Sequence, residues 1–237
     1  MPDALTLPTG VSGRHVLGAA SGPQPDPSPA ARAVPGVLEA FARAGADAVL
    51  LEPDPVSSSL LATVGRWRTP PVDLPTTSAL TRVVVPAACA PALPYPSLWA
   101  AASVTAHDQI ALRRDPQALA ARVVASWRTR VVATAYAVHR NRPVDLVVCA
   151  ADSVSRAVAL VLGTEADVDL VVLVDDQVAV DGDAWVVLES AAEVWAPTVD
   201  SAARWSAAHP KAATRVRAVD WTRPELLEPG MLTEART

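Results

Sequence analysis

Cysteine is almost missing from this chain of 237 residues, where Cys89 and Cys149 are the only two. Two thiols are too few for a disulfide scaffold or a four-cysteine zinc site, so the fold is expected to rest on its core, with both thiols reduced. Histidine is scarce as well. His15, His107, His139 and His209 stand far apart, and none falls in an HExxH, HxH or Cys/His spacing, so the sequence supplies no metal-ligand set. Positive charge is not in excess: the formal net charge is -5 and the pI about 5.3, which argues against nucleic acid and acidic membranes as partners. Long apolar runs are lacking too. Val144 to Ala151, interrupted by Asp145, falls well short of the ~20 residues of a membrane helix. The start, Met1 to Thr6, has neither the basic cluster nor the apolar stretch of a secretory signal, and a cytoplasmic protein is expected. Finally, there is no GxSxG elbow, no P-loop and no GxGxxG, since Gly10 and Gly13 stand alone and Gly163 ends a helix pattern instead of opening one. Serine hydrolases, Walker-type NTPases and conventional dinucleotide enzymes lose support, and the sequence names no cofactor.

What is present is a repeated strand and helix alternation in a chain that is 51% apolar. Arg14 to Ala20 reads as a strand, the proline-rich stretch Gly22 to Pro29 as a connector, and Ala30 to Ala44 as a helix, with Val34, Val37, Leu38 and Phe41 on one face. Gly45 stands at the expected helix C-cap, and Ala46 to Glu52 follows at once as a strand. Val56 to Trp67 and Ser97 to Arg113 read as helices, and Thr81 to Pro86 as a strand. The clearest helix opens with Asp115 and Pro116 and carries Leu119, Val123, Val124, Trp127, Val131, Val132 and Ala135 on one face. Val144 to Ala150 and Val168 to Val174 are nearly continuous apolar strands, as expected where both sheet faces are covered, with a helix from Ser153 to Gly163 between them. Asp181-Gly182, between Gln177–Val180 and Ala184–Leu188, predicts an antiparallel hairpin near 177–188. Ser201 to Ala208 reads as a helix and Thr214 to Val219 as a last strand. Together these predict one α/β domain over 1–222, followed by a polar tail at 223–237. A (β/α)8-type barrel is the preferred architecture, and an open, mostly parallel doubly wound sheet is the alternative.

In either architecture ligands collect at the carboxyl ends of the strands. Residues placed there are Ser21, Glu52, Asp54, Cys89, Asp152, Ser153, Asp175, Asp176, Glu189 and Asp220, a rim dominated by acids. Converging carboxylates can bind a divalent cation, accept substrate protons, or orient hydroxyls and amines. Glu52 and Asp152 are the candidate catalytic groups, with Asp54, Ser21 and Ser153 as substrate-binding neighbours. Bland readings compete with these: Asp152 and Ser153 suit a helix cap, Asp175-Asp176 a solvated turn, and Trp127 and Trp185 the core. Glu52-Pro53-Asp54-Pro55 places two acids in a loop stiffened by two prolines, which also suits a plain rigid connector. The functional expectation is an enzyme, lyase- or transferase-like, acting on a small polar or carboxylated metabolite. The competing class is a non-catalytic scaffold or partner-binding subunit, and a homo-oligomer or a protein partner is compatible with both.

Ala44-Gly45-Ala46-Asp47-Ala48-Val49-Leu50-Leu51-Glu52-Pro53 resembles the helix-to-strand return of the uroporphyrinogen decarboxylase and cobalamin-independent methionine synthase barrels. Asp115-Pro116-Gln117-Ala118-Leu119, opening a long helix ahead of the strand that leads to Asp152, is a second likeness. The decarboxylase's N-terminal arginine motif and the synthase's His/Cys zinc set are both absent. The resemblance implies a (β/α)8 barrel with a polar mouth, with Glu52 and Asp152 where such proteins place acids that contact substrate.

Overall fold

The computed structural model describes residues 12–20, 27–53, 80–85, 116–151, 155–165, 168–176, 182–224 and 227, with the side chains of 116–126, 164–165 and 182–183 left aside. Seven strands build one sheet: β1 (His15–Ala19), β2 (Asp47–Pro53), β3 (Thr81–Val85), β4 (Leu146–Ala150), β5 (Asp169–Leu173), β6 (Glu193–Ala196) and β7 (Val216–Ala218). Every pairing is parallel and the order is β3-β2-β1-β4-β5-β6-β7. The helices are α1 (Pro29–Arg43), α2 (Pro116–Asn141), α3 (Ser155–Glu165), α4 (Gly182–Ser190) and α5 (Val199–Ala208).

This order corrects the preferred barrel. A barrel closes its first strand on its last, whereas β3 and β7 are the two ends of an open sheet. The first six strands follow the order of a doubly wound α/β fold, and β7 extends the β6 edge. The predicted hairpin is also overturned. Residues 182–190 form helix α4, and β5 pairs parallel to β6. The cause is visible along α4: Ala184, Val187 and Leu188 are buried and Val186 is exposed, which is helical spacing and not alternation. Glu189 therefore stands on a helix and not at a strand end. The Gln177–Val180 strand, the helices at 56–67 and 97–113, and Cys89 lie outside the described residues.

Alternate residues along each strand serve two cores. Leu17, Ala19, Val49, Leu51, Val147, Cys149, Val172 and Val194 face the layer of α2, α3, α4 and α5. Val16, Ala48, Leu50, Val148, Val171, Leu173 and Trp195 face α1, where Trp221 and Leu227 complete the packing. All five residues of β4 are buried, as a central strand covered on both faces requires. Cys149 is buried on that strand.

Local signals explain how α1 is set on the sheet. Ser28 caps it, Pro29 occupies its first turn, and Gly45 ends the turn beyond it with a φ of 89° that a side chain disfavours. Gly18 on β1 allows the close approach, since a Cβ there would stand 2.7 Å from Leu38 Cδ1 and 3.0 Å from the Val148 carbonyl oxygen. At the amino edge of the sheet, Arg142 pairs with Asp47, the His15 amide donates to Asp145 at 2.8 Å, and His15 Nδ1 lies 2.8 Å from the Pro143 oxygen. No described helix is long and apolar enough to cross a membrane.

Candidate functional site

Between β1 and β4 the connections turn in opposite directions. The chain leaves β1 toward β2 over one face, and after β3 it returns to the far side of β1 over the other. Ligands of open α/β sheets sit outside the carboxyl ends of the strands at such a reversal, because the flanking loops part there. In this chain the strand ends there are Gly18-Ala19-Ala20 on β1 and Ala150-Ala151 on β4, all small residues.

On the α1 side of the sheet lies a buried acid. Asp175, just past β5, is 4% exposed, and its Oδ2 accepts the Ala30 amide at 3.0 Å. The Ala31 amide donates to Ser28 Oγ at 3.1 Å and the Arg32 amide to the Ser28 carbonyl at 3.0 Å, while Pro29 has no N–H to offer. All donors in the first turn of α1 are thus engaged within the protein, and one of them faces a carboxylate. The first crossover of a dinucleotide-binding sheet instead leaves these amides free for pyrophosphate. The α1 terminus is closed to that use.

Asp176, next in sequence, behaves differently. It is half exposed, accepts from Ser201 Oγ at 2.9 Å and pairs with Arg204 at 2.6 Å, which fastens the strand end to α5. The expected solvated Asp175-Asp176 turn therefore splits into one buried acid and one surface acid. The signal was in the strand itself. The alternation of β5 puts Val171, Leu173 and hence Asp175 on the α1 side, so the first acid turns inward.

Across β4, the amino end of α3 brings Ser155 and Arg156, both buried, to the same edge of the sheet. Neither was singled out from the sequence, where a serine and an arginine opening a helix carry no mark of burial.

Of the predicted site residues, Glu52 is described. It ends β2 on the α1 side, and its Oε2 accepts from Arg82 Nη1 at 2.9 Å; Arg82 Nη2 also donates to Glu39 of α1 at 2.8 Å. This is a partly exposed triad joining β2, β3 and α1. Asp152, Asp54, Ser21 and Ser153 lie outside the described residues. Among the described residues no group of three or more His, Cys, Asp or Glu side chains is arranged to hold a metal ion.

A second buried acid lies at the other end of the sheet. Glu193 opens β6, accepts from the Trp195 indole at 2.7 Å and faces Arg217 at 3.3 Å. Burial pushes its carboxyl up, against the opposing pull of the indole hydrogen bond and of Arg217. The amino edge is the stabilising side of such a sheet, and Glu193 belongs to the fold and not to the crevice.

The arrangement defines an open, doubly wound parallel α/β unit whose strand order reverses between β1 and β4. No family model and no curated protein matches the chain. Among solved structures it is similar to the UDP-GlcNAc 2-epimerase of Methanocaldococcus jannaschii, at 9% identity and a TM-score of 0.44, over 87% of this chain and 45% of that one. It is also similar to the UDP-N-acetylglucosamine 2-epimerase of Rickettsia bellii, at 12% identity and a TM-score of 0.47, over 90% of this chain and 46% of that one. The chain thus spans less than half the length of either. The open sheet withdraws the barrel resemblance: a Gly-Ala-Asp return into a buried strand is common to both architectures, because each repeats the same βα unit.

Proposed function

We propose that this chain is the ligand-binding unit of an enzyme acting on a small, polar, hydroxyl-bearing metabolite, held at the carboxyl ends of β1 and β4. The observation that carries the proposal is the β1/β4 reversal, with Gly18, Ala19, Ala20, Ala150 and Ala151 at its strand ends. The acids at this edge narrow the ligand. Asp175 follows β5 and Glu52 is the penultimate residue of β2, three strand spacings apart and so ~14 Å across the sheet. A partly exposed carboxylate such as Glu52 accepts hydrogen bonds from ligand hydroxyls and repels a compact dianion. Glu52 is the substrate-orienting or proton-transferring carboxylate in this reading, with Asp152 as its proposed catalytic partner and Asp54, Ser21 and Ser153 as the proposed substrate-binding residues.

Binding is tested by amide NMR and calorimetry with two probes: N-acetylglucosamine and malate. A saturable response to N-acetylglucosamine, with shifts centred on Ala19, Ala20 and Ala151, supports the site. Preference for malate, or shifts centred on the amino edge near Asp47 and Arg142, sinks it. So does the lack of any response. Once turnover of a bound sugar is established, Glu52→Gln is expected to keep the fold and cut the rate by about 10²–10⁴-fold, the usual yield of general acid–base catalysis. An unchanged rate removes Glu52 from the mechanism.

A further inference from the structure

The chain leaves β7 at the carboxyl edge of the sheet and returns across the α1 face. Val219 keeps one bond to the sheet, donating its amide to the Ala196 carbonyl at 2.8 Å. Beyond it the backbone bonds among the described residues are local: the Trp221 amide reaches Val219, the Arg223 amide Asp220, and the Leu227 amide Pro224. Side chains tie this segment to the rest. Trp221 is 1% exposed and donates its indole N–H to the Trp195 carbonyl at 3.0 Å, Leu227 is buried in the α1 core, and Arg43 of α1 donates to the Pro224 carbonyl at 2.7 Å.

Helix α1 is shaped to receive the segment. Gly36 stands in the middle of the helix, where glycine is among the weakest helix formers and alanine the best. A Cβ at that position would lie 2.6 Å from Pro224 Cγ and 3.2 Å from Pro224 Cβ. The absent side chain is thus the seat of the Pro224 ring, which cannot swing aside as a long side chain would. α1 gives up local helix stability at the point where the segment docks. The core under the segment is apolar: Phe41 stacks with Trp195 at 6.2 Å, and both pack in one cluster with Trp221 and Leu227.

Parts of a fold open below global unfolding where few backbone bonds hold them. The root of this segment fits that description, since β7 is an edge strand of three residues, all partly exposed. We propose that the segment from Asp220 to Leu227 is a latch, seated on Gly36 and Arg43 of α1, that opens and closes over the Phe41–Trp195 core while the sheet stays folded. Its open state bares an apolar groove beside the Arg43 guanidinium, and its closed state withholds that groove from other molecules. The latch does not depend on the ligand site proposed above.

Hydrogen exchange at two indole N–H groups of the 15N-labelled full-length protein reads the latch, because Trp221 and Trp195 carry the same chemical group. The Trp221 bond belongs to the latch, and the Trp195 bond, to Glu193 at 2.7 Å, belongs to the sheet. Exchange at the Trp221 indole and the Leu227 amide is expected at least about tenfold faster than at the Trp195 indole and the Val148 amide of β4. Gly36→Ala favours α1 as a helix but fills the Pro224 seat, and should widen the Trp221-to-Trp195 ratio by a further factor of about ten. Pro224→Ala takes the ring out of an unaltered seat and should widen the ratio too, which keeps the test open where Gly36→Ala folds poorly. Equal exchange at the two indoles in wild type makes the segment part of the global block and overturns the latch. A ratio that neither variant moves beyond about twofold overturns the Gly36 seat, and the latch with it.

Discussion

Gly18→Ala puts the seating of α1 under direct test. The new Cβ lies 2.7 Å from Leu38 Cδ1, 3.0 Å from the Val148 carbonyl oxygen and 3.2 Å from Val34 Cγ1. Leu38 and Val34 are both 0% exposed and point from α1 onto the sheet, and the carbonyl belongs to β4, so nothing around the methyl can give way cheaply. Overpacking of a closed core by one methyl costs about 1–3 kcal/mol. Replacing glycine within a strand returns about 0.5–1 kcal/mol of backbone entropy. The net loss expected is about 0–2.5 kcal/mol. For a domain of this size that lowers Tm by up to roughly 10 °C. Urea denaturation of Gly18→Ala, Leu38→Ala and the double variant provides the assay. Leu38→Ala alone is expected to cost about 2–5 kcal/mol, because it opens a cavity. In the double variant the added methyl occupies part of that cavity, so the combined loss should fall short of the sum by more than the ~0.5 kcal/mol scatter of independent sites. A stabilised Gly18→Ala, or strictly additive losses, refutes the view that Gly18 exists to let α1 approach β1.

Two further outcomes are expected. Burial raises the Glu193 carboxyl above its unfolded value, so its contribution to stability is present below the ordinary carboxyl range and is lost as pH rises through the folded value. Glu193→Gln keeps an oxygen for the Trp195 indole, and urea midpoints followed upward from about pH 4 should fall less with pH in the variant than in wild type; parallel profiles refute the assignment. Asp175→Ala strands the Ala30 amide in a buried position and should cost about 1–3 kcal/mol by urea denaturation, whereas Asp175→Asn keeps an acceptor and should cost distinctly less. Equal losses in the two Asp175 variants count against the Ala30 tie.

Most of the individual elements were legible in the sequence, and the sheet they build was not. β1, α1, β2, β3, α2, β4, α3, β5, α5 and β7 correspond to patterns read from apolar spacing, caps and glycines, because those signals act within a few residues. The choice between barrel and open sheet depends on where the chain goes after β3, and the same βα unit precedes either outcome. The error at 177–188 has a local cause. Trp185-Val186-Val187-Leu188 is rich in strand-favouring residues, but Ala184, Val187 and Leu188 meet the core at helical spacing, and tertiary packing prevailed over propensity. β6 escaped notice because Glu193-Val194-Trp195-Ala196 is short and opens on a charged residue whose burial depends on Arg217 of another strand. The same limit governs the site. Asp175 was visible as a strand-end acid, but its bond to Ala30 spans 145 residues.

The bond between Asp175 and Ala30 also bears on how the molecule opens. A doubly wound sheet is two half-sheets laid edge to edge, here β3-β2-β1 and β4-β5-β6-β7, and the reversal between them is a natural seam. α1 belongs by connection to the first half, yet Asp175 of the second half holds its amino end, and Phe41 stacks with Trp195 of β6 at 6.2 Å. The helix bolts one half to the other across the seam. The halves should therefore exchange their amide hydrogens as one cooperative block, with Ala30 protected to the level of global unfolding. Neither half should fold when expressed alone, and the sheet should not part along the seam without global unfolding.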